Sequence, residues 1–119
     1  MAWKYRQSTG ELDLSNNRVG VGYSGTGAGR NNPAMQSVQN VGPIPQGYYA
    51  IGPPHDTETH GPYVMRLTPE PGTNTFGRDG FLIHGDNLRH DASQGCIILA
   101  PQLRHRIWHS GDRRLQVMQ

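Results

Sequence analysis

Residues 81–100 read FLIHGDNLRHDASQGCIILA. Two continuous apolar runs, 81–83 and 96–99, flank a polar loop. Short runs that do not alternate fit strands buried at the centre of a core, and turn-forming residues bound both of them. His84 stands where the first run ends and Cys96, the only cysteine, begins the second. If the runs are neighbouring strands, the loop returns the chain so that imidazole and thiol meet at one sheet edge. Two readings of that meeting stay open. A thiol beside an imidazole becomes a nucleophile when its proton affinity is lowered. An unpaired cysteine ahead of Ile97, Ile98 and Leu99 is equally a small buried hydrophobe.

Outward from this stretch the chain keeps the same character. Trp3 and Tyr5, then Leu12 and Leu14, alternate with polar residues around STGE, the pattern of a half-buried hairpin, and RVGVGYS continues it. Residues 24–34, SGTGAGRNNPA, form an aperiodic glycine and asparagine loop, with a short helical turn predicted at 33–38 because Pro33 suits a first helical position. Prolines 43, 45, 53 and 54 bracket a brief strand at 48–51. PYVMRL (62–67) and RRLQVM (113–118) complete the strands. One helix is predicted in PQLRHRIWHSG, opened by Pro101 and closed at Ser110-Gly111, with Leu103 and Ile107 four apart on one face. The 119 residues suit one domain spanning 1–119. Gly and Pro, at 16 and 9 residues, fit a loop-rich, mainly β protein with one or two short helices.

Charge and composition narrow the function classes. Eleven Lys and Arg against nine Asp and Glu leave a net charge of +2, too little to hold the chain open by repulsion. The basic cluster of Arg104, Arg106, Arg113 and Arg114 lacks interleaved aromatics or a nucleic-acid module, so no nucleic-acid partner is expected. One cysteine forms no internal disulfide. The start, MAWKYRQSTG, has no apolar h-region and no apolar run approaches 18 residues, which predicts a chain without a Sec signal or membrane insertion. GYSGTGAGRNN has the glycine density of a phosphate loop but neither nucleotide-binding spacing. HDTETH places His55, Asp56 and His60 near each other, but without two histidines four apart on a helix around a glutamate. His105 and His109 have no acidic third ligand nearby, and a lone cysteine makes no C-x-x-C zinc pattern. These read as surface or capping histidines, and no metal and no cofactor are expected.

The motifs then resemble a family. His84-Gly85, followed by Ser93-Gln94-Gly95-Cys96 and an aliphatic run, is similar to the active-site signature of L,D-transpeptidases, in which His-Gly precedes Ser-His-Gly-Cys. GPIPQGYYAIG resembles that family's Pro-x-Gly-aromatic strand. YSGTG, RNNP, FLIHGDN and GCIIL resemble its small branch of type VI secretion effectors acting on peptidoglycan. The resemblance implies an L,D-transpeptidase-type β sandwich or barrel. It implies Cys96 as nucleophile and His84 as base, with Gly95 and Cys96 amides at the oxyanion and Ser93 and Gln94 in support. It also implies a substrate groove at Tyr23, Ser24 and Gly25, with Asp86 and Asn87 either orienting the imidazole and binding the stem or forming a turn. The partners implied are peptidoglycan stem peptides and a cognate immunity protein, with action in the periplasm of a target cell.

Two positions depart from the pattern. Gln94 stands where the family has histidine, which is expected to act through its backbone carbonyl on the base. Ile98 stands where many members carry arginine, leaving Arg78, Arg89 or Arg104, or no residue at all, to recognise a substrate carboxylate. A reading from another class is a peptidoglycan-binding module whose thiol is inert.

Overall fold

The computed structural model describes residues 2–89 and 91–119. Its strands are β1 (Trp3–Arg6), β2 (Glu11–Leu14), β3 (Asn17–Val21), β4 (Tyr23–Ser24), β5 (Gly47–Ile51), β6 (His55–Thr57), β7 (Gly61–Pro69), β8 (Leu82–His84), β9 (Ile97–Ile98) and β10 (Arg114–Met118). One helix, α1 (Pro101–His109), precedes β10. Short 3₁₀ turns occupy Gly27–Gly29 and Pro33–Met35, the second capped by Asn32, whose side chain accepts from the Ala34 amide. The molecule is mainly β, as the sequence predicts.

The strands form one mixed sheet in the order β3-β2-β1-β10-β5-β7-β8-β9-β4, with β6 paired to β7. Two pairs are parallel, β1 with β10 and β8 with β9. The order places the first and last strands of the path, β3 and β4, on either side of the single residue Gly22 in the chain. Chain continuity therefore brings the ends of the sheet together, and the sheet curls in the barrel-like manner expected. The Gly22 amide donates to the Gly10 carbonyl at 2.8 Å. Side chains at this junction are barred. A Cβ on Gly22 would lie 2.0 Å from the Ile98 carbonyl oxygen, and one on Gly10 would lie 1.9 Å from that of Gly22.

The interior is one apolar cluster that runs from Trp3, Tyr5 and Leu12 through Tyr49, Met65, Phe81, Ile83, Ile97 and Ile107 to Leu115 and Val117. Alternation decides which residues enter it: Trp3 and Tyr5 on β1 and Leu115 and Val117 on β10 point inward, while their neighbours face out. The runs at 81–83 and 96–99 are central to this core, as predicted. Their strands lie toward one end of the sheet order rather than in its middle, β8 between β7 and β9 and β9 between β8 and β4. Strand β6 was not foreseen, because HDTETH carries no apolar alternation. Side chains hold its turn together instead: Thr57 Oγ1 accepts from the His60 amide at 2.8 Å and Asp56 Oδ1 from the Tyr63 amide at 3.1 Å.

Candidate active site

Strands β8 and β9 run parallel, with Ile83 paired to Ile97 and His84 to Ile98. Cys96 lies immediately before β9 and two residues before Ile98, the partner of His84. His84 and Cys96 both line a cleft of about 670 Å³ together with Gly80, Phe81, Gly85, Asp86, Asn87, Gln94 and Gly95. The two runs are neighbouring strands, as predicted, but imidazole and thiol do not make the hydrogen bond expected where they meet.

His84 is buried, with 2% of its surface exposed. Its Nδ1 lies 2.8 Å from the Gly85 carbonyl oxygen. A carbonyl only accepts, so Nδ1 carries the hydrogen and Nε2 is left with its lone pair. Nε2 is buried and has no hydrogen-bond partner. Burial pushes the proton affinity of this ring down; the Gly85 hydrogen bond raises it in part, the neighbouring His60 and Arg104 lower it further, and Asp86 raises it. The orienting carbonyl is thus Gly85's own. The Gln94 carbonyl, expected in that role, accepts instead from Arg78 Nη2 at 3.4 Å, and the Gln94 side chain is exposed at the cleft.

Cys96 is half-buried. Its Sγ lies 3.9 Å from the Gly80 carbonyl oxygen and not in hydrogen-bond contact with His84, whose Nε2 is unpartnered. Burial pushes the thiol's pKa up, and the Leu82 amide and the Arg78 guanidinium pull it back down in part. Thiol and imidazole are therefore both favoured in their neutral forms, rather than as a thiolate–imidazolium pair.

The segment 93–96 is held by ties that the sequence places far apart. Ser93 Oγ accepts from the Gly25 amide at 2.9 Å and from the Gly95 amide at 3.1 Å, and donates to the Cys96 carbonyl at 2.6 Å. Ser24 Oγ donates to the Gly95 carbonyl at 3.2 Å and accepts from the Ile44 amide at 2.9 Å. Gly95 adopts a φ of +127°, and a Cβ there would lie 2.4 Å from Arg78 Nη2. Glycine is required on both counts. Arg78, 5% exposed, also donates to the carbonyls of Gln36, Pro43 and Gly42. It braces the loop from behind instead of facing the cleft.

Several expected roles change accordingly. The Gly95 amide is engaged by Ser93 and does not point at an oxyanion in this state. Ser24 and Gly25 are buried ties rather than groove-lining residues. Tyr23 lines a second cleft of about 500 Å³ that adjoins the first along His60, Gly61, Gly85 and Asp86. The Tyr23 hydroxyl donates to Asp86 Oδ1 and accepts from the Ala92 amide at 3.0 Å. Burial first, and then the Asp86 contact, push its pKa up to about 12. Asp86 and Asn87 take the turn-forming alternative: Asp86 Oδ1 accepts from the Asn87 amide at 2.8 Å, and Asn87 Oδ1 from those of Arg89 and Asp91, each at 3.1 Å. Both also line the first cleft. Arg104 lines the second cleft. It donates to the carbonyls of Leu99, Pro62 and Tyr63 at 3.1, 2.6 and 3.1 Å.

One site residue escaped the sequence reading. His60, weighed there as a metal-ligand candidate within HDTETH and read as a surface histidine, packs its ring on His84 with centroids 4.6 Å apart. No group of three or more His, Cys, Asp or Glu suited to a metal ion occurs among the described residues, and none of the helices among them is long and apolar enough to cross a membrane.

No curated protein matches the chain. Residues 19–119 match the Tlde1 domain. The match starts inside β3, so β1 and β2 precede it, although β1 is hydrogen-bonded to β10 within the same sheet. With the cleft and the paired strands beneath it, this match over most of its length shows that the chain belongs to the Tlde1 domain family, which points to a type VI secretion effector directed at peptidoglycan.

Proposed function

We propose that the protein is a cysteine enzyme that cleaves the L,D bond between diaminopimelate and D-alanine in peptidoglycan tetrapeptide stems. The outcome is L,D-carboxypeptidase hydrolysis, exchange with D-amino acids, or both. The observation that carries this reading is the buried, unpartnered Nε2 of His84, a residue that lines the same cleft as Cys96. A buried nitrogen without a partner is costly in a purely structural histidine. It is what a general base needs.

The neutral resting pair sets the order of events. Substrate enters the cleft and the Cys96 side chain turns about its χ1 angle from Gly80 toward His84. Nε2 accepts the thiol proton as Sγ attacks the diaminopimelate carbonyl. The tetrahedral oxyanion is stabilised by the Cys96 amide, with Ser93 and Arg78 holding the loop rigid. Collapse expels D-alanine, whose amine takes the proton from His84. Water or a D-amino acid amine, deprotonated by His84, then attacks the thioester and releases the thiol. Ser93, Gln94 and Gly95 act by shaping the loop, and Tyr23, Asp86 and Asn87 by forming the walls that receive the stem.

Purified tetrapeptide muropeptides incubated with the protein are expected to lose one alanine by mass. Cys96→Ala should abolish this, and His84→Gln should slow it by about 10²–10⁴. An alternative reading draws on the missing thiol–imidazole hydrogen bond: a binding module with an inert thiol. If wild type and Cys96→Ala bind the muropeptide equally and neither changes its mass, that reading stands and the enzyme reading falls. The site of action follows from the substrate, which lies outside the cytoplasm, and a cognate immunity protein would guard the producer. Expression directed to the periplasm should arrest growth while cytoplasmic expression does not; equal growth in both would refute that placement.

A further inference from the structure

The β6–β7 turn delivers a second imidazole to the candidate base, and the steps above make no use of it. The rings of His60 and His84 lie 4.6 Å apart at 51°. The turn that carries His60 is fixed by its own side chains: Thr57 Oγ1 holds the His60 amide at 2.8 Å, and Thr59 Oγ1 lies 3.0 Å from His60 Nδ1. His60 is exposed, whereas His84 is not. The outer ring therefore covers the inner one at the ridge between the two clefts. The His84 ring has a single hydrogen bond, at Nδ1. One bond sets the tautomer only while the ring stays seated on it, and it leaves the tilt free, so packing has to hold the ring in place.

We propose that His60 is a positioning residue for His84: its ring closes the open face of the buried imidazole, keeps Nδ1–H on the Gly85 carbonyl, and thereby holds the Nε2 lone pair in the cleft. The chain has glutamine at position 94, where the L,D-transpeptidase pattern has a histidine, yet a second imidazole reaches the site from a different hairpin. The effect on catalysis rests on the function proposed above; the effect on the ring does not. The charges around His84 act in both directions. His60 from the β6–β7 turn and Arg104 from α1 oppose its protonation, and Asp86 from the loop after β8 favours it. Replacing His60 with an uncharged aromatic should therefore preserve the geometry and raise the proton affinity of His84.

The test uses the full chain with His60→Ala and His60→Phe, both at an exposed turn, beside wild type and Cys96→Ala. Nitrogen-15 spectra of the His84 ring report the tautomer and its titration in the resting protein, and alanine release from tetrapeptide muropeptides reports kcat and KM. His60→Ala should mix the two tautomers and lower kcat about tenfold, the scale of a modest misplacement, with KM nearly unchanged. His60→Phe should keep the wild-type tautomer and most of kcat, with the His84 titration moved up by about half a pH unit, the size of a like-charge contact under water-like screening. Wild-type tautomer and kcat in His60→Ala would overturn the proposal. So would a His60→Phe variant as slow as His60→Ala with its tautomer intact, since the lost group would then be reacting and not positioning. If wild type releases no alanine, the enzyme reading fails, and the tautomer spectra still decide the role of His60.

Discussion

His84 is neutral because it is buried, and this couples the fold to pH. An unfolded histidine titrates near 6.5, and burial places the folded value below that. As pH falls through about 6.5 the unfolded chain takes up a proton that the folded chain refuses, so the unfolded state binds more protons and stability drops. The contribution is complete above the unfolded value and is lost on acidification toward the folded one. Urea midpoints measured between pH 8 and pH 5 should fall for the wild type and fall less steeply for His84→Gln; parallel slopes would show that His84 is not held neutral. Ser93 illustrates the other role a residue plays here. Its hydroxyl fills two acceptor positions and one donor position among Gly25, Gly95 and Cys96. The sequence marks Ser93 only as part of a motif, because its partner Gly25 lies 68 positions away.

Helix α1 was legible in the sequence through Pro101 at its start, Ser110-Gly111 at its end and the apolar pair Leu103 and Ile107. The structure agrees: Ile107 is fully buried, Leu103 packs at Gly20 of β3, and Gly111 has a φ of +78°. The basic cluster around it reads differently in three dimensions. Arg113 stacks on Trp108 at 3.4 Å, Arg114 makes two bonds of 3.0 Å to Glu70, and Arg104 is 4% exposed. Arg104 joins the helix to the start of β7 and the end of β9 by filling three carbonyls. Arg104→Leu keeps the apolar stem but leaves those carbonyls without a donor, at a cost of about 2–4 kcal/mol. Urea denaturation should show that loss at an unchanged m-value. A change below about 0.5 kcal/mol, the size expected of a surface substitution, would mean that the carbonyls find other donors.

At the scale of the molecule, the site depends on how the sheet returns on itself. Gly22 carries the chain from β3 directly to β4, from one end of the strand order to the other. Strand β4 then pairs with β9, Tyr23 with Ile98 and Ser24 with Ile97. That pairing is what brings Ser24 and Gly25 under the loop bearing Cys96. Gly22→Ala would drive a methyl group into the Ile98 carbonyl and Leu99 Cδ2. Overpacking of this kind costs about 2–3 kcal/mol. Because the strain falls on β9, the variant should also alkylate faster at Cys96 with iodoacetamide. Wild-type stability in Gly22→Ala would show that the junction relaxes freely.

The sequence by itself determined the class of fold, most strands and the helix, and its motifs singled out His84 and Cys96 as candidates. Apolar alternation, turn residues and motif spacing are local, and these features follow from local rules. Tertiary structure alone decided which carbonyl bonds the His84 ring, which amides Ser93 engages, and which histidine covers His84. Each of those contacts depends on an ångström-scale approach between segments brought together by the curl of the sheet. Spacing along the chain does not encode such distances, because packing and the demand that buried polar groups find partners settle them only when the whole core closes.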